Sequence, residues 1–417
     1  MRPSVTVPRR RPQSRLTGPS LGRKHRPDYW LLILCAVLLA VGLIVVYAIS
    51  PALSAANHVG QNYYVGKQLL AIGLSLVAFI VTARLPLRWW QQAYKPLLVA
   101  AGLATLLALV IPVNPAYPAH RWVRLGGLSF QSVELVKFAI MVWLAGFLAE
   151  RLRRGNIRST QLTLKPIVAA LVVSSVVIVG IQSDLGSAGV IVAMMATMAY
   201  VAGLPLGRIA LVGSIVMVMG VLAISATPYR RARLESFLHP QTNCQNGGYQ
   251  ACQALIAVGS GGTIGLGLGS SVQAYGYLPE AANDSIFAIY AEKFGFVGSI
   301  ILLVVFMAFF TRLKSIAERL DDDFSRLLVV GVLAWLSVQT FINIGAMVGL
   351  LPLKGITLPF ISYGGTSVVF VAAAVGLVFQ ASQYAAYSAP RVADDRAAQA
   401  QRSQRRLADS TVRRSSY

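Results

Sequence analysis

The sequence predicts an all-α polytopic membrane protein. Of its 417 residues, 56% are hydrophobic and only 12% are charged, whereas a soluble domain carries about a quarter charged residues. The apolar residues are grouped in runs of about twenty, the length that spans a bilayer as a helix. This composition excludes a soluble enzyme, a disordered chain and a fibrous repeat.

The apolar runs predict about ten transmembrane helices. The first run is longer than the apolar part of a signal peptide and follows a long basic segment, so we expect it to remain in the protein. The predicted spans are residues 30–50, 68–83, 96–113, 132–150, 166–182, 188–203, 208–226, 285–311, 325–350 and 367–387.

The positive charges predict the orientation. With both termini in the cytoplasm, 28 of the 37 Lys and Arg residues lie on inner segments and 6 on outer segments, as the positive-inside rule requires. The net charge of +22 therefore reflects cytoplasmic loops, and we expect no nucleic-acid partner.

Three regions follow from these assignments. Residues 1–29 and 388–417 are basic, polar tails that we expect to be disordered in the cytoplasm. Residues 30–387 form the transmembrane domain. Its largest extracellular loop, 227–284, lies between the seventh and eighth helices, and its mixed composition is typical of a re-entrant or surface-lying segment.

Acidic residues are few enough to assign one by one. Nine of the fifteen fall on the cytoplasmic side, which leaves Glu134, Asp184, Glu235, Glu280, Asp284 and Glu292. Glu280 and Asp284 lie at the predicted outer end of the eighth span. A carboxylate partly removed from water there suits a general base. The alternative is a capping Asp beside an exposed Glu.

Three acidic positions fall within apolar segments. Glu134 and Lys137 are three residues apart, so they share a helix face and we expect a structural ion pair. Glu292 and Lys293 are adjacent and point apart, so we expect each to find its partner on another span. Asp184 either frames a cavity or caps the sixth span.

Six outer cations run against the positive-inside rule. Arginine side chains match phosphate oxygens, and a lipid with a pyrophosphate head would explain their position. The alternative is a set of cations that extend to the interface from apolar surroundings. The six are Arg121, Arg124, Arg230, Arg231, Arg233 and Lys354.

The outer face also contains a glycine-rich stretch and two cysteines. The glycine-rich stretch 259–269 follows no nucleotide-binding pattern and indicates close backbone packing or a lipid-facing turn. Cys244 and Cys252 share the outer loop, where either a disulfide or two free thiols is compatible with the sequence.

Several motifs together resemble the SEDS (shape, elongation, division and sporulation) family, the peptidoglycan polymerases of the FtsW/RodA type. They occur in family order from about residue 30 to 387, and the long basic tails favour the cell-division branch. The matching segments are 121–126, 130–137, 183–186, 229–240, 248–269, 278–298 and 343–367.

The resemblance implies an activity. The chain would polymerise lipid II, an undecaprenyl-pyrophosphate disaccharide-pentapeptide, on the extracytoplasmic face of the bacterial plasma membrane. The family's essential aspartate falls on Asp284, which would deprotonate the acceptor hydroxyl. The outer arginines would bind pyrophosphate and, with Glu280 and Lys354, form the substrate-binding set. The implied partner is a class B penicillin-binding transpeptidase, with other divisome or elongasome proteins. The resemblance implies no definite cofactor and leaves open whether a divalent cation takes part.

The chain departs from the family pattern near this aspartate. The usual His-Thr is Ala282-Asn283, the following Phe is Ser285, and a family Lys is Ala274. Because Asp284 itself is kept, we favour an active enzyme. The competing hypotheses are a lipid II flippase and a scaffold that only activates a transpeptidase.

Overall fold

The computed structural model describes residues 25–110, 122–125, 128–225, 231, 235, 237–238, 244, 248–353 and 355–385. Seven of its helices are long and apolar enough to cross a membrane, and three shorter apolar helices occupy other predicted spans. The helical membrane-protein class is therefore confirmed. The count of ten crossings and the side of each terminus remain predictions, and most of both tails lies outside the described residues.

Up to Arg153, the described residues form five helices and a hairpin. The helices are α1 (Tyr29–Ala56), α2 (Tyr63–Arg84), α3 (Leu87–Gln92), α4 (Tyr94–Val110) and α5 (Ser132–Arg153). Strands β1 (Trp122–Leu125) and β2 (Leu128–Gln131) precede α5 and pair antiparallel.

The part of the chain after Arg153 begins with an irregular helix and ends with three long ones. Helix α6 (Lys165–Ser175) lies between π-helical turns at Thr160–Leu164 and Val176–Ile181. The remaining helices are α7 (Leu185–Val201), α8 (Leu206–Ser225), α9 (Tyr249–Ser260), α10 (Ile286–Glu318), α11 (Asp323–Met347) and α12 (Gly365–Ser382).

The sequence did not predict the short hairpin that β1 and β2 form within this helical fold. Leu125 pairs with Leu128, so only two residues, both glycine, connect the strands. Glycine adopts the positive φ angles that two-residue hairpin turns require. The segments around these glycines are too short and too polar to continue a membrane span.

Helices α5, α11 and α12 form the interior of the bundle. Helix α5 packs against α4, α7 and α11, and α12 packs against α2. By contrast, none of the described side chains of α8 is buried. Its apolar surface therefore suits contact with lipid, as expected for a helix on the outside of a membrane bundle.

The two ends of α10 have different surroundings. Arg312, near the C-terminal end of α10, has its Nε 2.6 Å from Oδ2 of the buried Asp28, which caps α1. Asp284 precedes the N-terminal end of α10. The Asp284 turn and the Asp28–Arg312 ion pair therefore lie towards different ends of this helix.

Helix α10 is interrupted at Gly295, where φ is 67° and ψ is −164°. The glycine-rich loop fills the break. Leu266 and Gly267 donate to the main-chain oxygens of Glu292 and Lys293 at 3.0 Å each. Of the two alternatives for this glycine stretch, the structure has close backbone packing at Gly261 and Gly265.

The prediction that Glu292 and Lys293 each find a partner on another span is wrong. Lys293 Nζ donates to the main-chain oxygen of Leu268 at 2.7 Å. The Glu292 carboxylate accepts bonds from Ser271 Oγ and from the main-chain nitrogens of Val272 and Gln273. The loop before α10 folds back against the helix, so it satisfies both charges where another span was expected to do so.

Candidate active site at the start of helix α10

Asp284 lies in the turn immediately before α10, and its side chain is half-buried. The main-chain oxygens of residues 282, 283 and 284 all accept hydrogen bonds from the segment 343–363. The donors are, in order, the Tyr363 main-chain nitrogen at 2.8 Å, Ser362 Oγ at 2.6 Å and Asn343 Nδ2 at 2.7 Å. The backbone that carries Asp284 is therefore fixed at three consecutive carbonyls.

A small open recess adjoins Asp284. Its other wall comes from the end of α11 and the loop that follows. The recess is lined by Asp284, Ile342, Asn343, Ala346, Met347, Leu353, Gly355 and Ile356. An apolar surround with a few polar groups is typical of a site that orients a substrate.

Gln250 approaches Asp284 from α9. Its Nε2 lies 3.5 Å from Asp284 Oδ1 and 3.0 Å from Ser285 Oγ. Ser285 Oγ in turn donates to the main-chain oxygen of Pro279 at 3.0 Å. The sequence placed Gln250 and Asn343 within the family-like segments 248–269 and 343–367 but assigned neither a role, because an uncharged amide within an apolar segment gives no charge signal.

Glu280 has a local role in the same turn. It is exposed, with φ of 51°, and its carboxylate accepts a bond from Asn283 Nδ2 at 2.5 Å. Its main-chain oxygen also accepts bonds from the main-chain nitrogens of Asn283 and Ser285. The structure thus places Glu280 in the turn before Asp284, where these bonds fix the turn geometry.

The outer cations are only partly described. Arg231 is exposed and donates to the main-chain oxygen of Ser225 at the end of α8. Arg124 has a described backbone in β1. The predicted phosphate-binding set therefore remains a prediction, because Arg121, Arg230, Arg233 and Lys354 lie outside the described residues.

A disulfide anchors α9. Cys244 and Cys252 are bonded, with Cα atoms 5.6 Å apart, so of the two alternatives left open by the sequence the structure has the disulfide. Cys252 lies two residues from Gln250 on the same helix. The bond therefore ties the outer loop to the helix that approaches Asp284.

Glu134 and Lys137 form the expected ion pair inside the bundle. Lys137 Nζ lies 2.7 Å from Glu134 Oε1 and 2.9 Å from Gln339 Oε1, and both charged side chains are buried. The Lys137 ammonium also lies 5.0 Å from the centroid of the Trp335 ring. These contacts offset part of the cost of burying the two charges.

Asp184 caps α7. Its carboxylate accepts bonds from Ser187 N at 3.0 Å and from Ser187 Oγ at 2.8 Å. Of the two alternatives for Asp184, the structure has the capping role. In the part of the chain that the structure describes, no three His, Cys, Asp or Glu side chains lie close enough together to hold a metal ion.

These features define a polytopic helical membrane protein with a carboxylate-bearing recess beside the start of α10. The family model described as "Cell cycle protein", for FtsW, RodA and SpoVE, matches residues 29–387. The chain belongs to this family, so the family resemblance is confirmed.

Two curated relatives cover most of the chain. A protein of Saccharophagus degradans named probable peptidoglycan glycosyltransferase FtsW is 38% identical over 365 residues, which cover 85% of this chain and 92% of the relative. The stage V sporulation protein E of Bacillus subtilis is 34% identical over 366 residues, with coverages of 88% and 99%.

Solved structures share the fold. A chain from a peptidoglycan synthase complex, described as coordinating polymerization and crosslinking, superposes with a TM-score of 0.70 at 25% identity and covers 87% of this chain and 99% of that chain. RodA of Thermus thermophilus superposes with a TM-score of 0.60 at 24% identity, with coverages of 87% and 98%. At that identity, the RodA likeness concerns the fold alone.

Proposed function

We propose that this protein is a peptidoglycan glycosyltransferase that polymerises lipid II into glycan strands at the outer membrane face, during cell division or elongation. The observation that carries the proposal is the half-buried Asp284 carboxylate beside a recess, on a backbone held at three consecutive carbonyls. The names of the curated relatives support the same activity.

Asp284 is the general base in this proposal. Its carboxylate takes the proton from the acceptor sugar hydroxyl. The hydroxyl oxygen then forms a bond to the sugar carbon that carries the lipid pyrophosphate, and the bond from that carbon to the pyrophosphate oxygen breaks. The lipid pyrophosphate leaves with the bonding electron pair. A base held in position ahead of the reaction contributes to the rate because little reorganisation is needed.

Outer cations bind the pyrophosphate in this proposal. Arg121, Arg124, Arg230, Arg231, Arg233 and Lys354 supply the positive charge, since guanidinium groups match phosphate oxygens in pairs. Their charge would stabilise the leaving group as negative charge develops on it. A divalent cation at the pyrophosphate would serve the same purpose, and the assay below therefore compares magnesium with a chelator.

The proposed site faces the extracytoplasmic side of a multi-pass protein in the bacterial plasma membrane. Asp284 lies at the end of α10 opposite the Asp28–Arg312 ion pair, and the basic N-terminal tail is assigned to the cytoplasm by the positive-inside rule. The proposed partner is a class B penicillin-binding transpeptidase, with other divisome or elongasome proteins. A peptidoglycan synthase complex among the structural neighbours supports this choice.

The test uses purified full-length protein in liposomes that contain labelled lipid II, with and without magnesium and with a chelator. We expect glycan strands from the wild type. Movement of lipid II between leaflets without strands would favour the flippase hypothesis. Strands that appear only when a transpeptidase with its own polymerase domain is added would favour the scaffold hypothesis.

A further inference from the structure

Asn343 joins the Asp284 turn to the opposite wall of the recess. Its Nδ2 donates to the main-chain oxygen of Asp284 at 2.7 Å and to that of Ile356 at 2.6 Å. Both partners are carbonyl oxygens, which only accept, so the amide nitrogen must be the atom that faces them. The side chain is only 2% exposed. One amide group therefore sets the spacing between the two sides of the recess.

Gln339 makes the same kind of contact one helical turn earlier on α11. Its Nε2 donates to the main-chain oxygen of Thr357 at 2.9 Å, the residue after Ile356. Its Oε1 accepts from Lys137 Nζ at 2.9 Å and from Trp335 Nε1 at 2.8 Å. Two amides on one helix face thus hold two consecutive carbonyls of the loop, and the bundle interior holds Gln339 in turn.

The amide oxygen of Asn343 gains no partner from this arrangement. Among the described residues, Asn343 Oδ1 is buried without a hydrogen-bond partner. Leaving a buried acceptor unpaired costs about 1–3 kcal/mol, so the two donated bonds are made at some cost in stability.

We propose that Asn343, supported by Gln339, is a positioning residue that holds the Asp284 carboxylate at the recess in the geometry needed for proton transfer. The inference rests on the proposed function. A displacement of about 1 Å in a catalytic group lowers the rate roughly 100-fold. Loss of the Asn343 donor should therefore lower kcat more than it changes binding of the lipid substrate.

The principal test is Asn343→Leu, which nearly keeps the side-chain volume and removes both donated bonds without adding a charge beside Asp284. With lipid II as substrate, we expect kcat to fall by about 10- to 100-fold while KM stays within about threefold. The matched control is Thr340→Val. Thr340 is buried on the same helix, its hydroxyl is unpaired among the described residues, and it does not line the recess. We expect its kcat to stay within about twofold of the wild type.

A second variant keeps the test decisive if Asn343→Leu does not fold. Gln339→Glu retains an oxygen for Lys137 and Trp335 but removes the donor to Thr357, so we expect a smaller fall in kcat, again at unchanged KM. Folding is checked by monodisperse elution and by the thermal unfolding midpoint. Loss of folding in both variants would contradict the inference, because it would assign the two amides to stability alone.

Asp284→Asn is measured in the same assay to separate the two proposals. If the wild type makes no glycan, both the proposed function and this inference fail. If the wild type is active, Asp284→Asn is inactive, and the folded amide variants keep the wild-type kcat or lose activity only through KM, then the positioning inference alone is overturned.

Discussion

The ammonium group of Lys137 lies 2.7 Å from the carboxylate of Glu134, with both side chains buried inside the bundle. Lys137→Met removes one partner and leaves a buried carboxylate unpaired, which costs about 3–5 kcal/mol. We expect a clear fall in the thermal unfolding midpoint in detergent. The double variant Glu134→Gln, Lys137→Met should recover most of the loss.

The control for this prediction is an exposed ion pair. Glu150 lies within 3.0 Å of Arg153 and also pairs with Arg154, but all three side chains are at least 39% exposed. Exposed pairs contribute about 0–1 kcal/mol, so Glu150→Gln should leave the midpoint nearly unchanged. A Lys137→Met variant as stable as Glu150→Gln would contradict the account of the interior pair.

Two glycines with the same backbone angle provide a test of the helix break. Gly265 and Gly267 both have φ of 85°, but an added Cβ at Gly265 would overlap the main-chain carbonyl of Lys293, whereas at Gly267 it would meet open space. Gly267→Ala should cost about 1–2 kcal/mol, from the positive φ alone. Gly265→Ala should cost about 1–3 kcal/mol more, through overpacking. Equal unfolding midpoints would show that the loop does not pack into α10.

The disulfide predicts the pattern of thiol labelling. The chain has three cysteines; Cys244 and Cys252 are bonded and Cys35 is buried and free. Denatured, unreduced protein should therefore take up one maleimide mass tag, and reduced protein three. Closing so short a loop contributes about 2–3 kcal/mol, so the double Cys→Ser variant should unfold at lower temperature. Three tags before reduction would rule the bond out.

Because its phenol is buried, we expect Tyr363 to make the stability of the folded protein depend on alkaline pH. Burial, with smaller contributions from Tyr63 and Tyr64, raises the pKa of the Tyr363 phenol to about 12, compared with about 10 in an unfolded chain. The unfolded chain therefore loses this proton first. The contribution of Tyr363 to stability is complete below pH ~10 and declines as pH rises towards ~12.

The measurement is the unfolding midpoint of wild type and Tyr363→Phe between pH 9 and pH 12, where we expect the variant to show a shallower decline. Parallel curves for Tyr363→Phe and the wild type would show that the phenol is not protected by the fold.

The sequence predicted the features that depend on charge and hydropathy. Apolar runs located the long helices, and the scarcity of acidic residues singled out Asp284 and the Glu134–Lys137 pair. These signals are strong because a buried charge is costly and therefore rare in a membrane protein.

The features that the sequence did not predict depend on tertiary contacts. Asn343 and Gln250 are neutral amides, and their importance comes only from what the fold brings next to them. The partners of Glu292 and Lys293 lie in the loop that folds into the break at Gly295. Hydropathy locates a span but does not show where the chain returns to pack against it.

The most direct test of the account compares Asp284→Asn with Glu280→Gln in the polymerisation of labelled lipid II by the purified protein. Both changes remove one carboxylate from the same turn without altering side-chain volume. We expect no strands from Asp284→Asn, and from Glu280→Gln a rate within about tenfold of the wild type, because Glu280 is exposed and bonded within its own turn. Wild-type strand formation by Asp284→Asn would contradict the central claim.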